Sequence, residues 1–253
     1  MTDIQLNYRD HVAEILLASP EQSNTMDDEL SRDMLETLES LGRNDDVHAI
    51  ILGSTGGIFS AGGDLDMLHE LAAESQHVSQ HPKLQHALRA SMRVVEKLWD
   101  FPKPTIAAVE GPCIGAGIGW VAACDVRLAS ERSFFDTAYM KLGLGTDFGV
   151  AWLLTHAVGA GRARDWILRP RRISATEAQA SGLLGEVIPT TENLLDAAHA
   201  SATLLTRATP ELIQSVRQNV RDAAELPLSE ALDLEAQRFI THLPSANIPV
   251  TNK

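Results

Sequence analysis

Two glycine-rich stretches carry the residue types best suited to chemistry. Residues 53–65 read GSTGGIFSAGGDL and residues 111–120 read GPCIGAGIGW, and each follows a run of aliphatic residues. Where small residues join a strand to a helix, bare backbone N–H groups can face a ligand, and the helix aims the positive end of its dipole at the same spot. Two such N–H groups converging on one oxygen form an oxyanion hole, which stabilises the negative charge of a transition state. The same small residues also suit tight turns and close helix packing, a purely structural use.

Neither stretch fits the common nucleotide or nucleophile motifs. No glycine is followed by Lys-Ser or Lys-Thr, as a P-loop requires, and Gly115-Ala-Gly117-Ile-Gly119 places its third glycine one residue early for a dinucleotide fingerprint. Ser60 lacks the preceding glycine of a nucleophile elbow, because position 58 is Ile. His77, His81 and His86 lie close together, but no HExxH occurs and Pro82 interrupts any shared helical face, so no metal site is expected. Asp147 precedes the apolar run FGVAWLL and suits a helix N-cap; Asp64 suits a cap after the first glycine stretch. Five arginines fall between Gly161 and Arg172 (GRARDWILRPRR), which reads as a solvated or subunit-contacting helix end, with anion binding the minor alternative.

The surrounding pattern supplies elements to hold these groups. Residues 11–17 and 48–53 read as strands around a helix at residues 26–41, whose Met26, Leu30, Met34, Leu38 and Leu41 recur at helical spacing. A helix over residues 84–101, stopped by Pro102 and Pro104, leads to a strand at 105–109, and further strands are expected at 126–129 and 133–135. From Phe148 onward the pattern is helical, at residues 148–158, 161–168, 175–181, 192–207, 210–224 and 229–242. Ser174-Ala-Thr-Glu177 forms a capping box, and Thr209-Pro210 an N-cap with proline at the first helical position. The class is therefore α/β with a mainly parallel sheet. A division is expected near residues 190–208, and we take 1–190 as the core and 191–253 as a C-terminal helical region.

Composition narrows the partners. With Lys+Arg 21 against Asp+Glu 34, the net charge of −13 argues against nucleic acid, which is bound by neutralising phosphates. The longest uncharged apolar run, Cys113 to Cys124, is well short of the ~20 residues of a membrane span. The opening MTDIQLNYRD has no signal-peptide pattern, and the two cysteines read as small buried hydrophobes, so a cytoplasmic setting is expected.

Several motifs agree in order and spacing with one family. Phe59-Ser-Ala-Gly-Gly-Asp-Leu65, Lys103-Pro-Thr-Ile-Ala-Ala-Val-Glu-Gly111, Gly115-Ala-Gly117, Cys124-Asp125, Lys141-Leu-Gly-Leu144 and Ile173-Ser-Ala-Thr-Glu-Ala178 resemble the enoyl-CoA hydratase/isomerase (crotonase) superfamily. The resemblance implies a ββα spiral core that binds an acyl-CoA thioester, a helical C-terminal region that trimerises, and a homotrimer or homohexamer. It implies no cofactor beyond the coenzyme A of the substrate. It also implies that two backbone amides grip the thioester oxygen, and by position these fall on Ala61 and Ala116. Gly62, Asp64, Gly115, Asp136 and Tyr139 complete the expected substrate-contacting set.

The sequence departs from the family where hydratases carry two glutamates, since those positions read Gly119 and Tyr139. Hydration needs one carboxylate to activate water while a proton is delivered nearby, so its usual mechanism is lost. Asp147 resembles the aspartate of isomerase-type and some dehalogenase-type members, and flanking Phe148, Val150 and Trp152 are expected to desolvate it partly and raise its pKa. The resemblance thus implies an enoyl-CoA double-bond isomerase with Asp147 as acid and base. Its rivals are a hydratase-like activity, with a histidine or Asp136 in place of a glutamate, a hydrolase or dehalogenase, and a non-catalytic acyl-CoA-binding homologue. The histidine that dehalogenase relatives carry before the third strand is missing from residues 89–95.

Overall fold

A computed structural model describes residues 4–74 and 82–246. His77 and His81, and with them part of the irregular stretch after the first glycine loop, lie outside the described residues; His86 is exposed.

Side chains along the central strands alternate between two apolar layers. Strands β1 (Ile4–Arg9), β2 (Val12–Leu17), β3 (Ala49–Ser54), β4 (Thr105–Val109), β6 (Val126–Ser130) and β9 (Glu186–Ile188) form one sheet in the order β1-β2-β3-β4-β6-β9. The β1–β2 pair is antiparallel and every other pair is parallel. Ala13, Ile15, Leu17, Ile50, Leu52, Ala107 and Val109 enter the larger apolar cluster, while Val12, Ala49, Ile51, Ile106 and Ala108 enter a second one. Period-two alternation with both faces covered explains why β2 and β4 are buried at every residue.

Helices cover the larger cluster. The helix α1 (Asp28–Arg43) buries Leu30, Met34, Leu38 and Leu41, and starts where the Asp27 carboxylate accepts from the Leu30 N–H at 2.7 Å. Its last carbonyls are held by Lys103, whose buried Nζ donates to Leu41 O at 2.8 Å and Asn44 O at 2.6 Å. Lys103→Met strips a charged donor from those carbonyls and is expected to lower stability by about 1–3 kcal/mol, measured by chemical denaturation. An unchanged unfolding midpoint would discount the capping role.

The helix expected over residues 84–101 breaks into α3 (Pro82–Ser91) and α4 (Arg93–Trp99), after a short α2 (Leu65–Glu74). A second sheet, in the order β5-β7-β8, joins β5 (Pro112–Ile114), β7 (Phe134–Asp136) and β8 (Ile173–Ser174). Helices α5 (Ala116–Ala122), α6 (Tyr139–Leu142), α7 (Val150–Val158), α8 (Ala160–Leu168) and α9 (Ala175–Ala180) follow these strands. Of the capping box expected at α9 the Ser174 half forms, its Oγ accepting from the Glu177 N–H at 3.1 Å, while the Glu177 carboxylate binds Arg171. Both cysteines are buried free thiols.

Helix α10 (Leu194–Leu205) covers the second cluster with Ala198 and Ala202. It also brings buried His199 Nε2 to 2.6 Å from Glu14 Oε1, a pair with no signal in the local pattern. The chain divides after Leu205, and α10 packs on β3, β4 and β6 of the sheet. The second unit, residues 206–253, contains α11 (Pro210–Glu225), begun by Thr209, and α12 (Leu228–His242), joined by Arg238 Nη1 to Asp222 Oδ2 at 2.6 Å.

Candidate active site

The first glycine stretch is shaped by a buried staple. Asn24 Nδ2 donates to Ile58 O at 2.9 Å and Phe59 O at 3.2 Å, and its Oδ1 accepts from the Ser19 N–H at 2.9 Å. Ser60 Oγ donates to Asn24 O at 2.8 Å and accepts from the Gly62 N–H at 3.0 Å. Ser60 is fully buried and is a structural hydroxyl, not a nucleophile. Ser23 and Asn24 sit at φ 58° and 48°, a region costly for most side chains and tolerated by Asn. Asn24→Ala removes three buried or half-buried hydrogen bonds, those to Ile58 O, Phe59 O and the Ser19 N–H, so it is expected to cost about 3 kcal/mol. That corresponds to a melting midpoint lower by about 6–12 °C in calorimetry, and an unshifted midpoint would contradict the staple.

This geometry corrects one expected amide. The Ala61 N–H is consumed by Ser23 O at 2.9 Å, so in this conformation it does not face a ligand. Among the described residues no acceptor receives the Gly63 N–H, two residues further along the same loop. Sequence reasoning missed Gly63 because an amide's availability depends on which carbonyl, here that of Ser23, reaches it from elsewhere in the chain.

The second stretch meets the first directly. Ser60 and Cys113 form a parallel bridge, Pro112 O accepts from the Phe59 N–H at 3.0 Å, and the Ile114 N–H donates to Ser60 O at 2.9 Å. A Cβ added to Gly62 would lie 3.0 Å from Ile114 O and 3.6 Å from Gly115 Cα. Both glycines have positive φ, 88° and 53°, so the loops touch through bare backbone. Ala116 begins α5, where the first N–H groups have no intrahelical acceptor.

Tyr139 and Asp147 adjoin this junction. A Cβ on Gly115 would lie 3.9 Å from the Tyr139 hydroxyl, which donates to Asp147 Oδ1 at 2.6 Å. Tyr139 is buried and Asp147 half-buried, just ahead of buried Phe148 and Val150 in the chain, while Trp152 is exposed. Asp147 is not a cap by its side chain: α7 is preceded by Gly149 without a side-chain cap bond, and Val150 N donates to the Asp147 carbonyl at 3.0 Å. Burial raises the Asp147 carboxyl above its ordinary range, and the Tyr139 hydrogen bond opposes that rise. Burial and the nearby Asp147 charge hold the Tyr139 phenol well above its ordinary value, so it acts as a donor.

The remaining expected residues support instead of react. Asp64 Oδ1 caps α2, accepting from the Asp66 N–H at 2.9 Å and the Met67 N–H at 3.2 Å. Buried Asp136 binds Lys141 Nζ at 2.5 Å and the Ala138 N–H at 3.0 Å, and its carbonyl accepts from the Gly115 N–H at 3.0 Å. The arginine run is largely engaged locally, Arg171 with Glu177, Arg169 with Asp165, Arg162 with Ser181, and Arg172 lying 4.5 Å over the Phe134 ring. Position 119 is closed: a Cβ on Gly119 would come within 2.2 Å of Phe148 O, so the turn carrying Asp147 fills the space a longer side chain needs. No group of three or more His, Cys, Asp and Glu among the described residues is arranged to hold a metal ion.

The enoyl-CoA hydratase/isomerase family profile matches residues 7–248. The chain belongs to that family. It is 31% identical over 245 residues to a mitochondrial Delta(3,5)-Delta(2,4)-dienoyl-CoA isomerase of Pongo abelii, covering 94% of this chain and 74% of that protein. It is 29% identical over 237 residues to 4-chlorobenzoyl coenzyme A dehalogenase-1 of an Arthrobacter species, covering 94% and 84%. The crystal structure of an enoyl-CoA hydratase from Polaromonas sp. JS666 superposes with a TM-score of 0.86 at 26% identity, covering 95% of this chain and 91% of that one. The α/β architecture described above is thus the crotonase fold expected from the motifs, with a helical C-terminal region. No helix among the described residues is long and apolar enough to cross a membrane.

Proposed function

We propose that this enzyme isomerises the double bond of an enoyl-CoA thioester, moving it from position 3 to position 2. Asp147 removes a proton from C2, and those electrons form the enolate, whose oxygen is held by the amides of Gly63 and Ala116. Collapse of the enolate forms the 2,3 double bond as the 3,4 double bond takes the proton back from Asp147 at C4. The enzyme ends as it began, so one carboxylate suffices and no redox or metal cofactor enters.

The observation that carries this reading is the Asp147 carboxylate itself, free of capping duty and hydrogen-bonded to Tyr139 beside the meeting point of the two glycine loops. Space at Gly119 is closed by Phe148 O, which argues against a second carboxylate there for water activation. The isomerase activity for which the mitochondrial dienoyl-CoA relative is named supports the same direction. A hydrolytic or dehalogenating reading, with Asp147 attacking carbon, draws support from the dehalogenase relative.

The test is incubation of 3-enoyl-, 2-enoyl-, phenylacetyl- and 4-chlorobenzoyl-CoA in D2O. Isomerised product is the expected result, with deuterium at C2 or C4 only to the extent that the proton on Asp147 exchanges with solvent before it is returned. A 3-hydroxyacyl product points to hydration, halide or free acid to nucleophilic chemistry, and binding without turnover to an acyl-CoA carrier; each would overturn the isomerase. The reading carries with it a homotrimer or homohexamer in the cytoplasm, to which the exposed Val216, Val220, Phe239 and Ile240 of α11 and α12 offer apolar surface.

A further inference from the structure

Resting on that reading, we propose that Tyr139 is a positioning residue which fixes Oδ1 of Asp147 and thereby leaves Oδ2 as the one oxygen that exchanges protons with the substrate. The argument is geometric. The Tyr139 ring is buried at the start of α6, which follows Ala138 in a left-handed turn (φ 59°), and its hydroxyl has a 2.6 Å bond to Oδ1. Asp147 lies on a turn closed by its own carbonyl to Val150 N, so neither partner is free to swing. A carboxylate with both oxygens free can rotate and present either one, losing the proton to water between removal and return. With Oδ1 anchored, the proton taken at C2 sits on Oδ2, pointed at the same face of the acyl chain until C4 receives it.

The anchor also sets the pH at which Asp147 works. The group facing Asp147 is Tyr139, and Asp147 and the buried Cys113 thiol of β5 are the groups facing Tyr139; nearby Lys141 is bound to Asp136. A donor on Oδ1 favours the charged carboxylate, so removing it raises the pKa of Asp147 and weakens the base first at low pH.

The experiment is the pH profile of kcat/KM for 3-enoyl-CoA isomerisation in wild type, Tyr139→Phe, and protein carrying 3,5-difluorotyrosine at position 139. The acid limb is expected to move to higher pH in Tyr139→Phe, so that this variant loses about ten-fold more activity on the acid side of the profile than on its plateau. The fluorinated ring is a stronger donor and is expected to move the limb the other way. Deuterium from D2O is expected to enter product C4 more in Tyr139→Phe than in wild type. A uniform loss with an unmoved limb in both variants overturns the anchor and leaves only a packing role. Asp147→Asn assayed beside them separates the readings. If it retains exchange, the base assignment itself fails; if it is inactive and the limbs do not move, only the anchor fails.

Discussion

Asp147→Asn is expected to slow C2 proton exchange and isomerisation by about 10³-fold, within the 10²–10⁴ range of a lost acid-base group. Acyl-CoA affinity should stay near wild type, because the amides of Gly63 and Ala116 and the contact between the two loops are untouched. The asparagine has the shape of the aspartate and keeps an oxygen for the Tyr139 hydroxyl, so what it removes is the proton-accepting carboxylate and its charge. In wild type the acid limb of kcat/KM should lie above the ordinary aspartate range of about 3.9, since burial raises this carboxyl, and activity falls as pH drops through it. Stability runs in the opposite sense. A carboxyl with a raised folded pKa binds protons more tightly in the folded state, so wild type loses stability as pH climbs from the unfolded pKa to the folded one. The asparagine variant has no such loss and should melt no lower than wild type at neutral pH. Exchange within about three-fold of wild type, measured by mass spectrometry in D2O, would remove Asp147 from the mechanism.

How much of this was legible in the sequence depends on what kind of information each element needs. The strands β2, β3 and β4 and helices α7 to α12 were readable because apolar period and capping residues are local, as at Ser174 and Thr209. Strand β1 escaped because it is a largely exposed edge paired only with β2, and the break between α3 and α4 has no proline or glycine to mark it. The site followed the same division. Asp147, Tyr139 and the two glycine stretches stood out by residue type and by resemblance. That the Ala61 N–H is taken, while the Gly63 N–H has no acceptor among the described residues, was hidden because Ser23 O reaches Ala61 from a turn distant in sequence. Asp136 reads by type as a candidate second acid, but Lys141, five residues on, occupies its carboxylate. Residue type identifies chemistry that could occur; only the partner of each polar atom says whether it is available.

Gly119→Ala is expected to damage both stability and catalysis, although alanine is the better helix former. Its gain in helix propensity is at most about 1 kcal/mol. Against that, the new Cβ would meet Phe148 O at 2.2 Å and Phe148 C at 3.2 Å. The obstacle is backbone and cannot rotate away, and the Phe148 side chain is itself buried at φ 43°, so the turn must move as a unit. Overpacking of this kind costs about 1–3 kcal/mol or more, so the clash wins and the melting midpoint should fall by several degrees, roughly 2–4 °C per kcal/mol. Moving Phe148 also moves Asp147, its neighbour in the chain, and a displacement of ~1 Å at a reacting group can cost about 10²-fold in rate. Gly119→Glu should be worse on both counts and should not yield a hydratase, because the added carboxylate has no volume to occupy while the Asp147 turn is in place. Gly145→Ala is the control, since a Cβ there meets nothing within 4 Å. If Gly119→Ala melts and turns over like Gly145→Ala, the turn is soft and position 119 is open to a side chain. The expected contrast makes the glycine at 119 and the aspartate at 147 mutually dependent: one carboxylate is seated in the site because the space for another has been given to the backbone that carries it.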